Sequence, residues 1–99
     1  MLIVQGDVYL TPATIPAGAT KRPDRILARG EATGHSHALA ETDDAELFES
    51  DGVLYLRVTQ ASAVRHEEHG AVLVPPGEWQ VGIVQEYDPF LEEARRVKD

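Results

Sequence analysis

Four histidines are the side chains in this sequence best placed to do chemistry, and they fall in two tight pairs. His35 and His37 lie in Gly34-His-Ser-His37; His66 and His69 lie in His66-Glu-Glu-His-Gly70. Neutral imidazole is the commonest protein ligand for zinc, copper, nickel and iron, so two such pairs suggest a metal site. Along a strand, side chains two positions apart share a face at a Cα spacing of about 6.5–7 Å. That spacing lets His35 and His37 turn toward one ion with bonds of about 2.0–2.1 Å. His66 and His69 stand three apart, and a regular strand would send them to opposite faces. They can reach one ion only where the backbone bends, and Gly70 allows a tight turn or bulge there. Imidazoles alone would leave the charge of a divalent ion uncompensated. Glu31, Glu41, Glu67 and Glu68 are close in sequence and could serve as a ligand or as acceptors for ring N–H groups. The expected ligands are therefore His35, His37, His66 and His69, with zinc the first choice of ion and no catalytic residue assigned. If three rings bind and one coordination position stays open, a bound water could be activated, with Glu67 or Glu68 as general base. A metal-free histidine cluster, loosened by charge repulsion as the rings protonate near about pH 6, is the alternative.

The elements that must position these residues read as mainly β. Met1–Val4 and Val8–Leu10 are β-prone around Gly6-Asp7, which reads as an opening strand kinked or bulged at Gly6. Residues 11–24 contain Pro12, Pro16, Gly18 and Pro23, and read as a long loop carrying Lys21 and Arg22, with Arg25 just after it. Residues 25–40 read as a second strand region with a bulge at Gly30, in which His35, His37 and Leu39 share parity. Residues 45–58 give the clearest hairpin, because Asp51-Gly52 between β-rich runs favours a tight turn. Pro75-Pro-Gly77 marks a further turn. After it, Trp79, Val81 and Ile83 form an apolar face, with Trp79 expected in the core. Asp88-Pro89 suits a helix start, and a short C-terminal helix over 88–98 is expected, acidic early and basic late. The sum is a single-domain small β-barrel or roll spanning residues 1–99, with one terminal helix.

Two resemblances can be set beside that reading. His35-Ser-His37, Glu41 and Pro75-Pro-Gly77 resemble the cupin pattern of a spaced His pair, a following Glu and P-x-G, over roughly residues 30–80. The likeness implies His35, His37 and Glu41 as metal ligands, a small jelly roll, and a cupin-type metalloenzyme. The sequence departs from that pattern at Gln80, where the second cupin motif has its histidine. No glycine follows Glu41 at the expected distance, and the His66/His69 pair has no place in it. The combination Gly30-Glu-Ala-Thr-Gly-His-Ser-His37, His66-Glu-Glu-His-Gly70 and Gln85-Glu-Tyr-Asp-Pro89 is similar to small uncharacterised bacterial or phage proteins, a likeness that implies no activity.

Composition sets the outer bounds. The 42% apolar and 26% charged fractions are those of an ordinary folded domain. The sequence has no cysteine, which excludes disulfides and thiolate ligands. A net charge of −8 opposes binding to bulk nucleic acid or an anionic membrane. No apolar run reaches the roughly 20 residues needed to span a bilayer, and residues 1–5 lack the start of a secretion signal, so a cytoplasmic protein is expected. Three functions remain in view. One is a structural or regulatory domain binding a divalent transition metal. The second is the cupin-type small metalloenzyme, whose substrate is unknown. The third is a metal-free homo-oligomeric assembly or adaptor protein that self-associates through β edges and the terminal helix.

Overall fold

A computed structural model describes residues 1–29 and 35–84. Among the described residues, ten strands form two antiparallel sheets. The larger contains β1 (Ile3–Gln5), β2 (Val8–Pro12), β3 (Thr20–Arg22), β6 (Ala45–Ser50), β7 (Val53–Val58) and β10 (Gly77–Ile83), in the order β1-β2-β10-β7-β6-β3. The smaller contains β4 (Ile26–Arg29), β5 (Ser36–Leu39), β8 (Ser62–Arg65) and β9 (Val72–Val74), in the order β4-β5-β8-β9.

Period-2 patterning explains the two faces. Val8 and Leu10 on β2, Ala45 and Leu47 on β6, Leu56 and Val58 on β7, and Trp79 and Val81 on β10 all point inward. Leu27, Leu39, Val64 and Val74 meet them from the smaller sheet, and the two sets make one core. His37 has the same inward parity as Leu39 and is equally shielded. The outer face of the larger sheet carries charged and aromatic side chains. There Arg57 lies over the Phe48 ring at 4.7 Å and donates from Nε to Glu78 Oε2 at 3.3 Å. Glu78 Oε1 in turn accepts the Ile15 N–H at 3.0 Å, pinning the loop after β2 to β10.

The mainly β expectation holds, but the barrel does not: among the described residues the two sheets face each other without closing. At the β1/β9 seam a side chain crosses the gap. The Gln5 amide donates to Val64 O at 2.9 Å and to Gly70 O at 2.8 Å. Gly6 is the turn of a β1–β2 hairpin, at φ 56°, rather than a kink inside one strand. The loop expected over 11–24 is shorter, because β2 runs through Pro12 and Thr20–Arg22 pair with Leu47–Glu49. Proline is tolerated at position 12 because β1 reaches only as far as Leu10, so no ladder bond is lost on that side. The second strand region divides into β4 and β5, with its register shift between Ile26 and Ala28. The helix expected over 88–98 lies outside the described residues. Among the described residues, no helix is long and apolar enough to cross a membrane.

Candidate histidine site

The two histidine pairs, some thirty residues apart in sequence, are brought together by strand pairing. β5 and β8 lie side by side, with Ala38 opposite Arg65 and Leu39 opposite Val64. The start of β5, which carries His37 and is preceded by His35, therefore meets the end of β8, where the chain turns through 66–70. The ring centroids of His37 and His66 are 4.3 Å apart, and those of His66 and His69 4.5 Å. His35 meets His66 edge-on at 5.6 Å, and His37 stacks with His69 at 6.1 Å.

Each ring is held by different partners. His37 is buried, and its Nδ1 lies 2.9 Å from Gln5 Oε1. His66 closes its own turn, with Nδ1 accepting the backbone N–H groups of Glu68 at 3.0 Å and His69 at 3.2 Å. This is the bend that the 66–70 stretch requires, made by an imidazole in the role that Asn or Asp plays in other turns. His35 Nδ1 lies 3.2 Å from Glu68 Oε1. His69, the most exposed of the four, lays its ring over the bare Cα of Gly6: a Cβ there would stand 2.5 Å from His69 Nε2. Glu67 Oε2 accepts the Ser36 N–H at 3.0 Å, tying the turn back to β5.

The electrostatics follow from this packing. Burial, and then the positive charges His66 and His69 would carry when protonated, pull the His37 pKa below its ordinary value; Asp7 and Glu67 pull the other way. The Glu67 carboxyl is held below its ordinary range by hydrogen bonds from its own N–H and that of Ser36.

The rings touch, but their lone pairs do not converge. Among the described residues, no group of three or more His, Asp or Glu side chains stands ready to hold a metal ion. Tilts of 41° and 42° at these short centroid distances are packing contacts, and a shared ion would require ring rotation. Of the acidic residues considered as ligands or acceptors, Glu67 and Glu68 sit at the site. Glu41 lies in a bend past the far end of β5, and Glu31 is outside the described residues. Sequence reasoning missed Gln5 and Gly6. A polar residue closing the first short strand and a Gly-Asp turn were visible, but nothing local linked them to histidines 32 and 63 positions away.

A groove of about 650 Å³ lies elsewhere, and its lining includes Lys21, Arg22, Arg25, Asp43 and Glu46. Its cations are engaged: Lys21 with Glu46 at 2.8 Å, Arg22 with Asp24 and Glu49 at 2.7 and 3.1 Å, and Arg25 with Ala40 O at 3.3 Å.

Fold and site together define a small two-sheet antiparallel β-protein in which four imidazoles meet where β5, the 66–70 turn and the β1–β2 hairpin come together. The chain belongs to the family described as domain of unknown function (DUF8820), which it matches over residues 4–84. No curated protein and no solved structure matches it.

Proposed function

We propose that this protein binds a divalent transition metal, zinc first, with ligands drawn from His35, His37, His66 and His69, in a structural or regulatory role. The observation that carries the reading is the meeting of both histidine pairs in one place, His37 to His66 at 4.3 Å, although they lie about thirty residues apart in sequence. Rings already in contact need side-chain rotation to turn their nitrogens inward, at about 0.5–1.5 kcal/mol per strained torsion and about as much for each hydrogen bond given up. That cost is small beside the binding energy of a structural zinc, on the order of 10 kcal/mol. Glu67 and Glu68 supply negative charge beside the rings.

The test is metal analysis of purified, untagged protein together with zinc titration followed by calorimetry. One equivalent of ion per chain, lost in His37→Ala and His69→Ala variants that still fold, is the expected result. A stoichiometric ion retained by both variants, or no uptake by the wild type, defeats the proposal.

A second reading has its own support. The Gln5–His37 bond and the His66 turn engage Nδ1 of both rings without an ion, which suits a metal-free polar cluster fastening the two sheets. It predicts full stability in the presence of a chelator. The self-association that accompanied this reading would appear as an oligomer whose mass is independent of metal between pH 5 and 8.

A further inference from the structure

We propose that Gln5 and the 66–69 turn hold His37 and His66 in opposite tautomers, so that His37 presents a lone pair at Nε2 while His66 presents a proton there. The tautomers follow from hydrogen bonding alone. Their use in dividing ligand duties rests on the metal reading above.

The first lock begins with two carbonyls. Val64 O and Gly70 O can only accept, and both lie within 2.9 Å of the same Gln5 amide nitrogen. That end of the amide must therefore be the NH2 group, with both protons committed, and the other end is Oε1. Oε1 carries lone pairs only, so the 2.9 Å approach from His37 Nδ1 has to be an N–H donating to it. A neutral imidazole has one proton, and in His37 it is on Nδ1. Nε2 is left bare.

The second lock runs the other way. The backbone N–H groups of Glu68 and His69 are obligate donors, and both reach His66 Nδ1. That nitrogen must offer its lone pair, which places the proton of the neutral ring on Nε2. The two rings lie 4.3 Å apart and are set by unrelated groups, an amide in β1 and a turn after β8.

A metal ligand needs a lone pair. His37 has one at Nε2 without rearrangement, and its Nδ1–H is already anchored on an amide oxygen, the arrangement that orients metal-bound histidines and raises their basicity. His66 would have to break both hydrogen bonds of its turn. The ligand load therefore falls on His37 with His35 and His69, and His66 acts as an N–H donor to a carboxylate or water beside the ion. Gln5, which need not touch the ion, is a positioning residue.

The test is long-range 1H–15N correlation on the metal-free, whole 15N-labelled chain near pH 8, where neutral rings show which nitrogen is protonated. The expected spectrum has His37 as the Nδ1–H form and His66 as the Nε2–H form. An Nε2–H pattern for His37, or equal averaging of the two forms in either ring, overturns the proposal whatever the ion does. Zinc titration then separates the roles. His37→Ala should lower zinc affinity more than about 100-fold, and His66→Asn, which keeps a turn-capping acceptor, less than about 10-fold. Equal losses overturn the division of duties. Gln5→Leu should weaken zinc by about 10–100-fold and let the His37 tautomers average, with the His66 pattern unchanged; unaltered affinity and tautomer would refute the positioning role. If Gln5→Leu cannot be folded, the wild-type spectrum alone decides the locks. Locks as stated with no zinc uptake defeat the metal reading and leave the tautomer assignment standing.

Discussion

His37 is the residue on which the site turns. It is buried, polar and anchored at Nδ1, and its lowered pKa makes the protein's stability depend on pH in a definite direction. Below the ordinary value of 6.5, the unfolded chain binds a proton that the folded ring resists, so the unfolded state gains. Stability is therefore complete above that value and falls as pH drops through 6.5 toward the lower folded pKa. Glu67 adds a loss of the same sign at lower pH, since its depressed carboxylate contributes above its ordinary value of 4.5 and fades as pH falls through its folded pKa. Thermal unfolding of metal-free protein should show Tm falling between about pH 7.5 and pH 5.5, with a shallower fall in His37→Gln. A slope identical in that variant would remove His37 from the account. Gly6 gives a second expectation. Its φ of 56° and the His69 ring over its Cα both oppose a side chain. Gly6→Ala should cost about 1 kcal/mol or more and shift the His69 ring resonances, read by denaturant titration and NMR. That the two histidine pairs could meet was legible from their isolation as the four histidines of the sequence. Gln5 and Gly6 were not, because their partners lie far along the chain and no local rule pairs a glutamine with a distant imidazole.

Among the elements, the β6–β7 hairpin was readable in full. Alternating apolar residues flank Asp51-Gly52, and both turn residues take positive φ, 51° and 78°, as a type I′ turn demands. Strand β3 was not readable: Thr20-Lys-Arg22 is short, polar and without alternation, and it exists because β6 offers it an edge. Strand β10 illustrates the same limit. Its apolar face predicted a buried Trp79, but nothing in the sequence announced that Gly82 receives the Tyr9 ring from β2 across its bare Cα. Gly82→Ala should cost about 1–3 kcal/mol by forcing the ring aside. In a Tyr9→Ala background most of that penalty should vanish, so a double-mutant cycle measured by urea unfolding checks the contact. Additive losses would show that the ring and the glycine are not coupled.

At the scale of the molecule, composition and β periodicity gave one mainly β domain with a single core. They could not say that the sheets stay open, since closure depends on how distant edges meet. The core itself is concentrated: Leu47, Leu56 and Val74 are all but inaccessible. Leu56→Ala on β7, near the middle of the larger sheet, should cost about 2–5 kcal/mol, whereas truncating exposed Leu73 should cost within about 0.5 kcal/mol. Equilibrium unfolding compares the two directly. A similar effect at both positions would contradict a core shared between the sheets.

The Gln5 amide joins carbonyls 59 and 65 positions downstream to an imidazole 32 positions downstream. A single side chain thus closes long loops of backbone, and such non-local contacts are among the slowest for a folding chain to reach. The Gln5 clasp on His37 is therefore expected to form late in folding. A transient peeling of the N-terminal hairpin, too small to unfold the rest, would free His37 Nδ1 from Gln5 and uncover the His69 ring. Exchange of the amides in β1 should then report on the integrity of a site to which that strand contributes no imidazole.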